Sequence, residues 1–190
     1  MRIIGGRFGS RPLTAPRGMA TRPTLDQTRE ALFNILQARV ADSTVLDLYA
    51  GSGAIALEAL SRGASSAVLC DQSPAACACI RENIARLGCG GMARLLAMPD
   101  RQALQLLERE NARFDLIYLD PPYAMDLSPV LALLAPTALL AEDGLIIVEH
   151  SRTSDPACPE GLTLTRRKLY RDTALSFYQR DHGPQEGPSA

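Results

Sequence analysis

No apolar run in the chain approaches the ~18 residues needed to cross a membrane, and Met1-Arg2-Ile3-Ile4-Gly5-Gly6 lacks the long apolar stretch of a secretion signal. The expectation is a cytoplasmic protein. The five cysteines, Cys70, Cys77, Cys79, Cys89 and Cys158, are odd in number and contain no Cys-x-x-Cys pair. That excludes the usual signatures of a disulfide framework or a zinc site, and no metal is expected. Lysine is nearly absent: Lys168 is the only one among 20 basic residues. Almost every cation is therefore a guanidinium, the group suited to bidentate contact with phosphate. Internal repeats are lacking too.

What is present is an ordinary globular composition, 46% hydrophobic and 22% charged over 190 residues, the size of one main domain. The net charge of −1 conceals an asymmetry. Residues 1–30 hold Arg2, Arg7, Arg11, Arg17, Arg22 and Arg29 against Asp26 and Glu30, a local excess of four positive charges that fits a nucleic-acid contact. Gly5, Gly6, Gly9, Pro12, Pro16, Gly18 and Pro23 leave room only for short strands and turns, so residues 1–24 read as a basic arm or hairpin. A first helix follows from Thr24 to Leu36.

From Val45 onward short apolar runs alternate with amphipathic ones, the pattern of repeated β-α units and a mainly parallel sheet. Strands are expected at 44–48, 66–70, 93–97, 115–119 and 144–149, and helices at 53–62, 74–87, 100–110 and 127–140. Residues 162–169 and 173–179, with no helix between them, read as an antiparallel pair closing the sheet. The fold class is thus α/β and Rossmann-like over 25–181, with 182–190 expected to be a disordered tail.

Two loops carry the chemistry. Asp47-Leu48-Tyr49-Ala50-Gly51-Ser52-Gly53 joins the first core strand to a helix, and its glycines allow a ligand close to the backbone. Asp71 stands 18 residues beyond Gly53, close to the offset at which an acid meets ribose hydroxyls. This layout alone does not separate a dinucleotide from S-adenosylmethionine. Asp47 favours the second, since a pyrophosphate repels a carboxylate there and a cationic amino-acid end attracts one.

The second loop is Asp120-Pro121-Pro122-Tyr123, straight after the buried-strand pattern of Phe114–Leu119. Two prolines stiffen it and remove two amide donors at the carboxyl end of a strand, the ligand side of such a sheet. An exocyclic amine of a nucleobase is a poor nucleophile. Asp120 and the Pro121 carbonyl can hold its hydrogens and stabilise the positive charge that develops, while Tyr123 offers a stacking face. Guanine places two donors, N1–H and N2–H, side by side and suits a carboxylate; adenine sets an acceptor beside its amino group.

Arg22-Pro23-Thr24, Arg29-Glu30-Ala31-Leu32-Phe33-Asn34, Asp47 through Gly53, Glu58-Ala59-Leu60-Ser61-Arg62-Gly63-Ala64 and Asp120-Pro121-Pro122-Tyr123 together resemble the bacterial 16S ribosomal RNA guanine-N2 methyltransferases that act on guanine 966. The resemblance covers about residues 1 to 180. It implies a class I methyltransferase fold, S-adenosylmethionine as cofactor, and a monomer acting on the small subunit or its 16S rRNA during assembly. It further implies a cofactor site at Asp47, Ala50, Gly51, Ser52, Gly53, Asp71 and Asp100, a target-base site at Asp120, Pro121, Pro122 and Tyr123, and RNA contacts at Arg7, Arg11, Arg17, Arg22 and Arg29. Two positions depart from the family: Met98-Pro99-Asp100 stands where an Asp or Asn usually follows the third strand, and Tyr170-Arg171 replaces a Tyr-Gly step. The rival readings are an adenine-N6 methyltransferase on RNA or DNA, a non-catalytic RNA-binding assembly factor, and a nucleotide-dependent oxidoreductase.

Overall fold

The structure, a computed structural model, describes residues 1–16, 23–122, 125–154 and 156–181, and the side chains of 23–26 lie outside that description. The tail expected over 182–190 lies outside it as well. Among the described residues five α-helices, α1 (Pro23–Leu36), α2 (Ala54–Ser61), α3 (Pro74–Leu87), α4 (Asp100–Arg109) and α5 (Ser128–Leu134), flank a seven-stranded sheet. Its strands are β1 (Thr44–Asp47), β2 (Ser66–Cys70), β3 (Ala93–Leu96), β4 (Phe114–Leu119), β5 (Leu140–Ser151), β6 (Leu162–Leu169) and β7 (Thr173–Arg180), in the order β3-β2-β1-β4-β5-β7-β6. The first five run parallel and β7 pairs antiparallel with both β5 and β6. The expected Rossmann-like sheet with a closing hairpin is present.

Because successive strand residues face opposite ways, each central strand feeds two cores. Val45, Leu116, Tyr118 and Ile147 pack with α1, α2 and α3, whereas Leu46, Ile117, Leu119, Ile146 and Val148 pack with α4 and α5. The chain reverses at β1 and β4, so the crevice above their carboxyl ends is where a ligand fits this architecture.

One expected boundary was wrong. The helix expected over 127–140 is confined to Ser128–Leu134, and β5 starts at Leu140 instead of 144. Pro136 cannot continue a helix. The polar Glu142 and Asp143, left between the expected helix and strand, sit within β5 at a register shift, where Phe114 faces Leu140 and Leu116 faces Leu145.

The N-terminal segment is built into the body of the protein. Arg2 and Pro12 bridge antiparallel, Ile3 and Leu13 are buried in the first core, and Ile4 N–H and Gly5 N–H donate to the two oxygens of Glu58 at 2.7 and 2.9 Å. Glu58, fully buried, also accepts from Arg62 Nε at 2.7 Å. Gly6 has φ +74° and lies so close to Ser61 that a Cβ there would sit 1.9 Å from its carbonyl oxygen. Only glycine fits.

Candidate active site

β1 ends in the buried Asp47, and the loop after it continues the sheet's bonding: Leu48 N–H donates to Tyr118 O and Ala50 N–H to Cys70 O. Gly51 and Gly53 then adopt left-handed φ of 56° and 77°, which turns the chain into α2. A Cβ on Gly53 would lie 2.7 Å from Leu69 Cδ2. The turn brings the backbone of Gly51 against Asp71, whose Oδ2 accepts Gly51 N–H at 2.9 Å while Oδ1 accepts Ser73 N–H at 2.8 Å.

Asp47 points at the start of α2, where Ala56 N–H reaches its Oδ2 at 3.4 Å. Burial pushes its pKa up to about 7; the Ala56 amide opposes this and nearby Asp71 adds to it. A cationic ligand group above β1 would relieve that cost.

Asp100 is the first residue of α4, and its Oδ2 accepts the Tyr49 hydroxyl at 2.6 Å. The acid after β3 is therefore tied to the glycine loop despite the shift that Pro99 introduces. The Tyr49 link joins residues 51 positions apart and escaped the sequence reading. Ser52 is buried, with its hydroxyl 3.3 Å from Met1 Sδ and its carbonyl accepting Asn83 Nδ2 at 2.9 Å, so both of these groups are turned into the protein.

On the other side of the crevice β4 delivers Asp120 and Pro121. Pro121 is buried; the Pro122 carbonyl accepts Met125 N–H at 2.9 Å and so already has a donor within the loop. Tyr123 lies outside the described residues. Beside Asp120 the sequence reading missed Glu149. The β4–β5 register sets Leu119 opposite Val148, so the next residues on each strand, Asp120 and Glu149, emerge together. The Tyr118 hydroxyl donates a short hydrogen bond to Glu149 Oε2.

Surrounding protein, Glu149 and Asp47, in that order, hold the Asp120 carboxyl well above the usual carboxylate range, although its side chain is open to solvent at the crevice mouth. Burial likewise raises Glu149, against the lowering effect of Tyr118. Three acids, Asp47, Asp120 and Glu149, thus crowd the strand ends. Of the three, Glu149 lines a cleft of about 60 Å³, walled also by Pro121, Pro122, Leu127, His150 and Ser151. The His150 ring is fixed at both nitrogens, by Ser151 O and Ser176 Oγ, each at 2.9 Å.

The arginines divide. Arg7 and Arg11 are exposed, their guanidiniums 4.8 and 5.6 Å from the Phe8 ring. Arg29, expected at the RNA surface, is 4% exposed, bonds Arg2 O at 2.6 Å and stands 3.9 Å from Glu58, so its role is to hold the N-terminal segment. Arg17 and Arg22 lie outside the described residues. Among the described residues no group of acids, histidines and cysteines could hold a metal ion, and no helix is long and apolar enough to cross a membrane.

The family model described as conserved hypothetical protein 95 matches residues 1–179. The chain is 36% identical over 183 residues to the ribosomal RNA small subunit methyltransferase D of Escherichia coli, covering 95% of this chain and 90% of that one. It resembles the solved structure of a hypothetical protein of Thermus thermophilus with a TM-score of 0.81 at 33% identity, over 94% of this chain and 99% of the other. The fold is shared with SMU.776, a protein solved in complex with SAH, at a TM-score of 0.67 and 17% identity over 82% and 49% of the two chains.

Proposed function

The chain belongs to the conserved hypothetical protein 95 family and is a ribosomal RNA methyltransferase that uses S-adenosylmethionine; from that premise we propose that it methylates the exocyclic N2 of a guanine in 16S rRNA, of the guanine 966 type, during small-subunit assembly. The observation that carries this reading is Asp120, which stands at the carboxyl end of β4 with no ion pair or side-chain hydrogen bond among the described residues and faces the same crevice as the cofactor loop.

The residues around β1 fit the cofactor. Asp47 meets its cationic amino-acid end, the backbone of Ala50, Gly51, Ser52 and Gly53 allows close approach, Asp71 keeps unused lone pairs for ribose hydroxyls, and Asp100 lies on the adenine side. The cofactor supplies an electrophilic sulfonium methyl group. Asp120 and the Pro121 carbonyl accept the two amino hydrogens and so aim the nitrogen lone pair across the crevice. The amine would become cationic only as its new N–C bond formed and the methyl group left the sulfonium sulfur, and it would then release one N–H proton to Asp120 or to water, so Asp120, Glu149 and Asp47 would favour the transition state over the bound base. Tyr123 is assigned to stacking on the extruded base.

Small-subunit RNA from cells lacking the enzyme, incubated with labelled S-adenosylmethionine, is expected to yield N2-methylguanosine at a single mapped position. Label recovered as N6-methyladenosine would overturn the guanine assignment in favour of the adenine enzyme, and cofactor binding without turnover would favour the assembly factor.

A further inference from the structure

We propose that Glu149 determines base specificity: its Oε1 accepts N1–H of the target guanine while Asp120 holds the N2 amino group. This assignment rests on the guanine-N2 reading above. It gives each of guanine's adjacent donors its own carboxylate, in place of one carboxylate for both.

The geometry supplies the parts. Neighbouring strands are about 4.8 Å apart, and the β4–β5 register makes Asp120 and Glu149 lateral neighbours at the crevice. The Glu149 side chain is 6% exposed and walls the cleft with Pro121, Pro122 and His150. Tyr118, fully buried among the strands, keeps its proton and donates a hydrogen bond to Oε2, which fixes the rotation of the carboxyl group. Oε1 has no hydrogen-bond partner among the described residues. Oε1 is not among the sealed, unpartnered polar atoms of the described residues, so it is reached from outside at the cleft that Glu149 lines, and an acceptor held in orientation by its neighbour there is placed to take a donor brought by the ligand. Adenine would present its N1 lone pair to that oxygen and be repelled; guanine presents a hydrogen.

The test pairs the variant Glu149→Gln with a change in the base. Two small-subunit RNAs are prepared by ligation, one with the mapped target guanine and one with 2-aminopurine, which keeps the N2 amino group but carries a lone pair at N1. Single-turnover rates are measured at saturating S-adenosylmethionine and enzyme. The wild type is expected to react roughly 10- to 100-fold more slowly with 2-aminopurine, the range for a hydrogen bond to a charged group. In Glu149→Gln the guanine rate is expected to fall by a similar factor and the 2-aminopurine penalty to shrink or vanish, because the amide can donate to N1. A merely structural Glu149 would slow both RNAs equally and leave the penalty unchanged, overturning the proposal. Equal wild-type rates on the two bases would overturn it without any variant, so a poorly folding Glu149→Gln does not protect it. Product analysis separates the two levels: N2-methylguanosine with an unchanged penalty sinks the Glu149 assignment alone, whereas methylation at another atom sinks the guanine reading and this one together.

Discussion

On the cofactor side of the sheet, Asp71 gives one oxygen to Gly51 N–H and the other to Ser73 N–H, and Asp100 holds the Tyr49 hydroxyl. On the base side, Asp120 and Glu149 stand together with the Tyr118 hydroxyl bonded to Glu149 alone; the surrounding protein raises both carboxyls, and Glu149 and Asp47 add to the rise at Asp120. The first pair shapes a loop that is finished before any ligand arrives. The second pair is left electrostatically unsatisfied, as suits groups whose partner is an amine that turns cationic during reaction. Asp47 lies between, buried beside the loop and still short of a strong partner.

Breaking the base side should therefore cost rate and not cofactor binding. Asp120→Ala is expected to slow single-turnover methyl transfer by ~10²–10³, the usual loss for one preorganised partner of developing charge, with cofactor affinity almost unchanged. Asp120→Asn keeps one acceptor but turns a donor toward guanine, and should also be slow. Near-wild-type guanine methylation by Asp120→Ala would leave the tetrapeptide as a rigid turn and remove the contrast.

Breaking the cofactor side should do the reverse. Asp71→Ala is expected to weaken cofactor binding by ~1.5–3 kcal/mol, because a charged acceptor for the ribose is lost. The same change frees Gly51 N–H and Ser73 N–H, so loop order falls with it. Asp71→Asn, which keeps an acceptor oxygen, should recover part of the affinity. Calorimetry showing wild-type affinity in a folded Asp71→Ala protein would take Asp71 out of the site.

Asp47 sharpens the comparison through pH. With its pKa at about 7 it is largely protonated below neutrality, and a cationic ligand end requires the carboxylate. Cofactor affinity should therefore rise with pH and level off above about 7, falling by up to roughly tenfold per unit on the acid side as one proton is expelled on binding. The unliganded fold should respond oppositely. A carboxyl with a raised folded-state pKa contributes stability at low pH and loses it as pH climbs through about 7. Asp47→Asn should flatten both profiles, and a pH-independent affinity in the wild type would place the cationic end elsewhere.

The cofactor side was far more legible in sequence than the base side. Asp47 through Gly53 is contiguous, and Asp71 sits at a fixed offset from it, so spacing alone brings them together. Asp120 was visible for the same reason, being attached to two prolines. Glu149 was invisible: it ends the run Leu145-Ile146-Ile147-Val148, and only the pairing of β5 with β4 sets it beside Asp120. Pairing across the chain also hid Arg29. Its partner Glu58 is 29 residues away in a stretch that read as part of the family pattern, and nothing local distinguishes a buried arginine from a surface one. The early part of β5 was hidden in another way, because the polar Glu142 and Asp143 interrupt its apolar pattern where the register with β4 shifts.

The smallest expected effect concerns the arginines of the N-terminal segment, which packs on the cofactor side through α2 and α3. Deleting the segment would be a poor test, since Ile3 and Leu13 belong to the core and Glu58 would lose two amide partners. Changing only Arg7 and Arg11 to Ala leaves those contacts in place. Both guanidiniums are exposed, and their intramolecular contacts, the Phe8 ring, Met92 Sδ and the Leu87 carbonyl at 3.4 Å, leave the positive charge uncompensated. If each meets one phosphate, the log–log salt dependence of RNA binding should flatten by roughly 0.7–0.9 per arginine, with cofactor affinity and the rate at saturating RNA unchanged. Filter binding across a salt series would measure this directly. An unchanged slope would mean that the RNA is held from the base side alone, and that these arginines serve only to cover Phe8.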